Sequence, residues 1–233
     1  MKIIDFELDN PIWHALTGPH APLGTATPSA AIYNPAVSRF AGLLEPSAEA
    51  FAQLASLTAP EEIIALDTAW PVSPSPHWQV VNVENLEQFV CEQPVAPPPA
   101  GADRVVALNT ADVEQMLDLA ARTQPGPFSA ETIRCGYYAG VWDNAQLVAM
   151  AGERLTLTHA VEISGVCTAA SHRGQGLAGI LVQLLAARAQ GLGQLPFLHV
   201  RTANVSAIRL YETLGFRHRR TMQLTVLKRS AAA

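Results

Sequence analysis

The residues best suited to chemistry form one short run, Arg173-Gly174-Gln175-Gly176-Leu177-Ala178-Gly179, with a strand-like segment before it and an amphipathic one after it. Glycines at these spacings let successive backbone N–H groups turn toward a common point, and the start of the following helix adds unpaired donors and a partial positive charge. A phosphate anion is the natural guest, and Arg173 adds a full charge. Residues 174–179 also fit Gly-x-Gly-x-x-Gly, the dinucleotide fingerprint, taken literally. That fingerprint calls for an acidic residue roughly 20 positions on, where this chain reads Leu198-His199-Val200-Arg201. Arg201 would suit a 2′-phosphate, yet too little chain follows Gly179 to complete a doubly wound sheet. No Gly-Lys-Ser/Thr follows either, which excludes a Walker loop.

The elements that must hold this turn are legible around it. Val161 to Thr168 reads as a strand leading through Ala169-Ala170-Ser171-His172 into the glycines, and the helix after them carries Leu177, Ile180, Leu181, Leu184 and Leu185 on one face before stopping at Gly191 and Gly193. Phe197 to Val200 reads as strand, Ser206 to Leu214 as helix and Thr221 to Leu227 as a last strand. Upstream, Tyr137 to Trp142 and Gln146 to Leu155 flank Asp143-Asn144-Ala145 as an antiparallel hairpin, and Thr110 precedes a helix with Val113, Met116, Leu117, Ala120 and Ala121 on its apolar face. The mixture predicts an α+β fold with antiparallel hairpins and at least one strand-helix-strand crossover.

The chain divides by composition. Of 17 prolines, 14 lie in residues 1–99, and of 15 glycines, 12 lie in residues 100–233. The first 99 residues carry 2 basic and 11 acidic side chains, and the remainder 13 basic and 9 acidic. The proline cluster at 94–101 reads as a linker, because proline neither continues a helix nor donates to a central ladder. The expected organisation is an acidic, proline-rich α/β domain over 1–99 and a second domain over 100–233. In the first, Ser47 caps a helix carrying Phe51, Leu54, Ala55 and Leu57, and residues 62–66 and 78–83 read as strands. Nothing there has the spacing of a metal site, a nucleotide loop or a nucleophile with its base.

Composition excludes several classes. No apolar run approaches the roughly 20 residues that cross a bilayer, and the first residues lack the apolar core of a signal peptide. The expectation is a soluble cytoplasmic protein without membrane partners. Cys91, Cys135 and Cys167 are odd in number and far apart, so neither a disulfide framework nor a zinc pattern is available, and no metal is expected. A pI near 5.8 argues against nucleic acid, while the positive balance of the second half leaves room for an anionic ligand.

Three blocks in order resemble the GNAT superfamily of acyl-CoA-dependent N-acyltransferases over roughly residues 104–229: Gly165-Val166-Cys167-Thr168, Arg173-x-x-Gly176-x-Ala178, and Asn204-x-x-Ala207-x-x-x-Tyr211-Glu212-x-Leu214-Gly215-Phe216. The resemblance implies a mixed, mostly antiparallel sheet flanked by helices, preceded here by a smaller α/β unit compatible with a degenerate GNAT-like first copy. It implies acetyl-CoA as cosubstrate and a primary amine of a small molecule or amino acid as acceptor. The backbone of Val166, Cys167 and Thr168 would then hold the pantetheine arm or the thioester carbonyl, and Arg173 with the amides of Gly174, Gln175, Gly176, Leu177 and Ala178 the pyrophosphate. Asn204 would bond the pantetheine or cap its helix, and Tyr211 would serve as general acid near the sulfur. For the base, alternation places Glu162 on one strand face with Ser164, Val166 and Thr168 unless a bulge at Gly165 alters the phase. Glu153, His199 and water are the alternatives. Phe128 and Tyr137 or Tyr138 are candidates to line the acceptor pocket. A non-catalytic acyl-CoA-binding module is the other reading of the same residues. Oligomeric state and acceptor identity stay open.

Overall fold

The computed structural model describes residues 3–73, 76–96 and 100–231. In chain order the first half supplies α1 (Ile3–Asp9), α2 (Pro11–Leu16), β1 (Gly24–Ala26), β2 (Ala30–Tyr33), β3 (Ala41–Leu43), α3 (Ala48–Leu57), β4 (Ile63–Thr68) and β5 (Trp78–Val90). The second supplies β6 (Val105–Leu108), α4 (Val113–Thr123), β7 (Tyr138–Asp143), β8 (Gln146–Thr156), β9 (Ala160–Thr168), α5 (Leu177–Gly191), β10 (Leu195–Arg201), α6 (Val205–Thr213) and β11 (Arg217–Arg229). Among the described residues, eight strands form one sheet in the order β4-β11-β5-β10-β9-β8-β7-β6, and β1-β2-β3 form a small antiparallel sheet. Among the pairings of the large sheet's described strands only β9 and β10 are parallel, so this is the mixed, mostly antiparallel sheet that the resemblance implies, in the α+β class that the pattern predicts.

Local chemistry accounts for most boundaries. Ser47 Oγ accepts from Ala50 N to start α3, and Asn204 Oδ1 accepts from Ala207 N to start α6. The β7–β8 hairpin turns at Asn144, whose φ of 53° is left-handed backbone that Asn tolerates. In α4 the buried stripe is Met116, Leu119 and Ala120, rotated from the expected face so that Ala121 is exposed. Asn109 and Asp112 form a capping box around a 3₁₀ turn, and the α-helix begins at Val113.

The large sheet runs across the compositional boundary at residue 99. β5 lies between β10 and β11, pairing antiparallel with both, and β4 extends the edge beside β11. Leu8, Ile12, Trp13 and Leu16 of the first half share one apolar cluster with Leu155, Leu157, Ala160 and Phe197 of the second. Residues 97–99 of the expected linker lie outside the described residues. Its described start is fixed to α5, where Gln190 Oε1 accepts from Val95 N and Gln183 Nε2 donates to Ala96 O.

The expected excess of positive charge also has a structural owner. Asp5 and Asp9 pair with Arg219, Asp9 also with Arg220, Glu84 with Arg201, Glu87 with His218 and Glu61 with Lys228. Acids of the first half therefore neutralise much of the basic surplus of the second, which the sequence reading assigned to an anionic ligand. Arg173 is exposed and has no carboxylate in ion-pair range among the described residues.

Candidate active site at the parting of two parallel strands

β9 and β10 are bonded only at their starts, with Leu195 opposite Ala160, Pro196 opposite Val161 and Phe197 opposite Glu162. Beyond that point β9 continues to Thr168 and β10 to Arg201 without pairing, so the facing backbone edges are left open. Each strand then feeds a helix, α5 from β9 and α6 from β10, and both helix N-termini lie at the open end. Carboxyl ends of parallel strands followed by helices are where α/β sheets bind ligands, because backbone donors converge there.

Two glycines and a bulge shape this opening. Gly165 has a φ of 64°, and between the pairs Gly152–Ser164 and Met150–Cys167 β9 carries one residue more than β8. This bulge breaks the expected alternation, so Glu162 and Ser164 do not share a simple alternating face with Val166 and Thr168. Cys167 is buried in the main core cluster, Thr168 Oγ1 is buried without a hydrogen-bond partner, and Val166 is half-buried. The Cys167 side chain is core, and those of Val166 and Thr168 are partly covered.

The glycine turn lies in the open. Gly174 and Gly176 have φ of 78° and 76°, and a Cβ added to either would meet nothing within 4 Å. The left-handed backbone, not crowding, is what requires glycine there. Gly176 is the N-cap of α5 and supplies no side-chain cap, so the first amides of the helix keep free donors. Arg173 and Gln175 flank them in solvent, whereas the Leu177 side chain is buried and Ala178 half-buried. His172 precedes the turn and is held by Asp143 at 3.1 Å and by Ser171 at 2.9 Å.

Tyr211 is buried in the last turn of α6, with its ring 6.2 Å from Phe216, and burial pushes its phenol up to about 12. Leu210 beside it reaches within 3.4 Å of where a Gly179 side chain would start, so this turn of α6 packs next to the first turn of α5. Asn204 does cap α6, with its Oδ1 accepting from Ala207 N and Ser206 Oγ.

The three base candidates are all engaged. Glu162 is fully buried and takes two hydrogen bonds from Arg154, Nε to Oε2 at 2.8 Å and Nη2 to Oε1, plus one from His199 Nδ1 at 2.8 Å. Burial alone would raise its carboxyl, but the Arg154 charge and the His199 hydrogen bond overcome that and hold it down at about 2. Gln88 is oriented by Arg219, which donates to its Oε1, and by Leu8 O, which accepts from its Nε2. That nitrogen therefore donates to His199 Nε2 at 3.0 Å, and His199 is the tautomer whose Nδ1–H faces Glu162. Neither ring nitrogen has a free lone pair. Glu153 is buried on the other face, with Tyr137 N on Oε2 and Arg188 3.2 Å from Oε1. The sequence reading singled out Glu162 but not Arg154, although the two flank the β8–β9 turn at positions a hairpin would bring opposite each other.

A cavity of about 270 Å³ opens above the same sheet face. Arg154, Leu155 and Phe128 line it from the second half, and Tyr33, Val37 and Arg39 from the first. The Phe128 ring stands edge-on to Tyr138 at 5.7 Å, and Tyr138 lies over Gly152, where any Cβ would collide with its ring. Of the expected pocket aromatics, Phe128 lines the cavity, Tyr138 backs it from the core, and Tyr137 lies under Arg188.

A family model for FR47-like protein matches residues 138–224, spanning β7 to β11. No match was found among curated proteins. Two solved structures share the fold at 15% identity. One is a GCN5-related N-acetyltransferase from Kribbella flavida, with a TM-score of 0.63 over 100% of this chain and 97% of that one. The other is a GCN5-related N-acetyltransferase-like protein from Streptococcus suis 89/1591, with a TM-score of 0.55 over 94% of each. A structure from Novosphingobium aromaticivorans DSM 12444, assigned as an acetyltransferase of the GNAT family, is 39% identical with a TM-score of 0.88. The match covers 96% of this chain and 99% of that one, the first half included, and on that likeness the chain belongs to the GNAT family of acetyltransferases.

Proposed function

We propose that this protein transfers an acetyl group from acetyl-CoA to the primary amine of a small molecule. The observation that carries the reading is the parted β9–β10 pair, which leaves open backbone edges leading to an uncapped, glycine-formed anion cradle beside Arg173. Free amides, a cation and room where side chains would otherwise stand are the donor set a pyrophosphate needs. Bound acetyl-CoA supplies the activated thioester; the chain's own residues then hold, orient and move protons. The β9 edge at 166–168 holds the extended arm and the carbonyl, and the first amides of α5 hold the phosphates.

Tyr211, kept protonated by burial, donates toward the sulfur. A free thiol ionises near 8.5, roughly 3.5 units below this phenol, so Tyr211 stabilises the departing thiolate by a hydrogen bond more than by giving up its proton. With Glu162, His199 and Glu153 all engaged, the amine loses its proton to water. The test is CoA release, followed by a thiol reagent, across a panel of amines, together with Tyr211→Phe. The expected result is turnover that falls on the order of 10- to 100-fold in the variant at unchanged CoA affinity. A protein that binds acetyl-CoA yet never liberates CoA with any amine would be a binding module instead.

A further inference from the structure

We infer that the cavity over β8 takes the acceptor, and that Arg39 selects acceptors carrying a carboxylate beside the amine, with an apolar body. This rests on the acetyl-transfer reading above and adds the chemical class of the acceptor. The titratable side chains lining the cavity are Arg39, Arg154, Tyr33 and Cys135; among the described residues, no Asp or Glu lines it. Arg39 is the sole arginine of a first half that carries eleven acidic side chains, so its place at this cavity runs against the local charge. Of the remaining walls, Pro35, Val37, Pro127, Phe128 and Leu155 are apolar, and Ser38, Ser129 and Thr132 add neutral hydroxyls.

The two arginines are unequally free. Arg154 gives Nε and Nη2 to Glu162, and its Nη1 makes no hydrogen bond among the described residues. Its side chain is 16% exposed and cannot leave its partner without stranding a buried carboxylate. The Arg39 side chain is 59% exposed and its only ion pair among the described residues is a long one, 3.7 Å to Glu62. Such a pair contributes little, so a ligand carboxylate can replace it at small cost and gain a bidentate contact. The cavity also lies where an acceptor must be. Arg154 reaches Glu162, which stands opposite Phe197 in the last bonded pair before β9 and β10 part. Phe128 leads through Tyr138 to the bulge at Gly165, where an added Cβ would sit 3.8 Å from the Tyr138 ring. At about 270 Å³ the space is below the roughly 300–1,000 Å³ of sites for drug-sized ligands and suits a molecule the size of one amino acid.

The experiment uses matched pairs that differ only in the carboxylate: phenylalanine with phenethylamine and leucine with isopentylamine for turnover, and their N-acetylated forms for calorimetric binding to the CoA-loaded protein. Each is run on the wild type, Arg39→Met and Arg39→Lys. The acids should show a KM, and as acetylated products a Kd, on the order of tenfold lower than their decarboxylated partners. Arg39→Met should erase that gap by weakening the acids alone, Arg39→Lys should restore part of it, and CoA affinity should stay put. Equal affinity within each pair, or a carboxylate preference that survives Arg39→Met, would overturn the assignment. The binding arm reads the cavity even if no amine is acetylated, so a failure of acetyl transfer is distinguishable from a failure of carboxylate recognition.

Discussion

At the residue scale the decisive feature is a carboxylate that reads as a base candidate in the sequence and is buried in an ion pair in the fold. Glu162 receives Arg154 and His199 in full burial, so its ionised form is stabilised more in the native state than in the unfolded one. A native pKa of about 2 against 4.5 unfolded means that its contribution is complete above about pH 4.5 and disappears as the pH falls toward 2. At 1.36 kcal/mol per unit, that contribution is about 3 kcal/mol. Glu162→Gln leaves Arg154 charged and buried without its partner, and should cost about 3–5 kcal/mol near neutrality. Urea unfolding at several pH values should show wild type and variant converging between pH 4.5 and 2; a constant gap would remove the ion pair as the cause. If no protein group takes the amine proton, the pH profile of kcat/KM belongs to the acceptor. Two acceptors whose amines differ by one pKa unit should give inflections one unit apart, and a fixed inflection near neutrality would point to a base in the protein.

At the element scale, the parts that local chemistry specifies were legible. The glycine turn, the Asn204 cap, the Asn144 hairpin and the β9-to-α5 passage all depend on residues within a few positions of one another. What could not be read was non-local: β5 entering between β10 and β11, the acids of α1 reaching Arg219, and Arg39 arriving at the cavity. Those placements depend on sheet order, which no periodicity encodes. The turn itself can be separated into backbone and charge. Gly176→Asn accepts left-handed backbone at modest strain and stays neutral, whereas Gly176→Asp adds a carboxylate that the start of α5 tolerates and a bound phosphate does not. Both variants should melt within a few degrees of each other. CoA affinity should drop on the order of 100-fold or more for the aspartate and much less for the asparagine, as read by calorimetry. Equal losses would mean that the loop's shape, not its electrostatics, does the holding.

At the scale of the whole molecule, the compositional halves are chemically distinct yet structurally interleaved. Removing residues 1–99 would take β5 from beside β10, leave thirteen-residue β11 without either neighbour, and strip Gln88 and Asp67 from the His199 environment. It would also expose Leu155, Leu157, Ala160 and Phe197, and leave Arg201, Arg219, Arg220 and Lys228 without their first-half carboxylates. An open strand of that length with apolar residues is a template for aggregation. Residues 100–233 expressed alone should therefore show no cooperative melt and no CoA binding, although they contain every residue of the glycine turn. Co-expression with residues 1–99 should restore both, because the lost contacts are non-covalent and Val95 and Ala96 at the end of the first half are held on α5 by side-chain hydrogen bonds. A soluble, cooperatively melting 100–233 fragment that binds CoA would show that the parted strands hold their shape without β5. The first half would then act on the acceptor alone, through Arg39 and the cavity wall, and CoA binding would not depend on it.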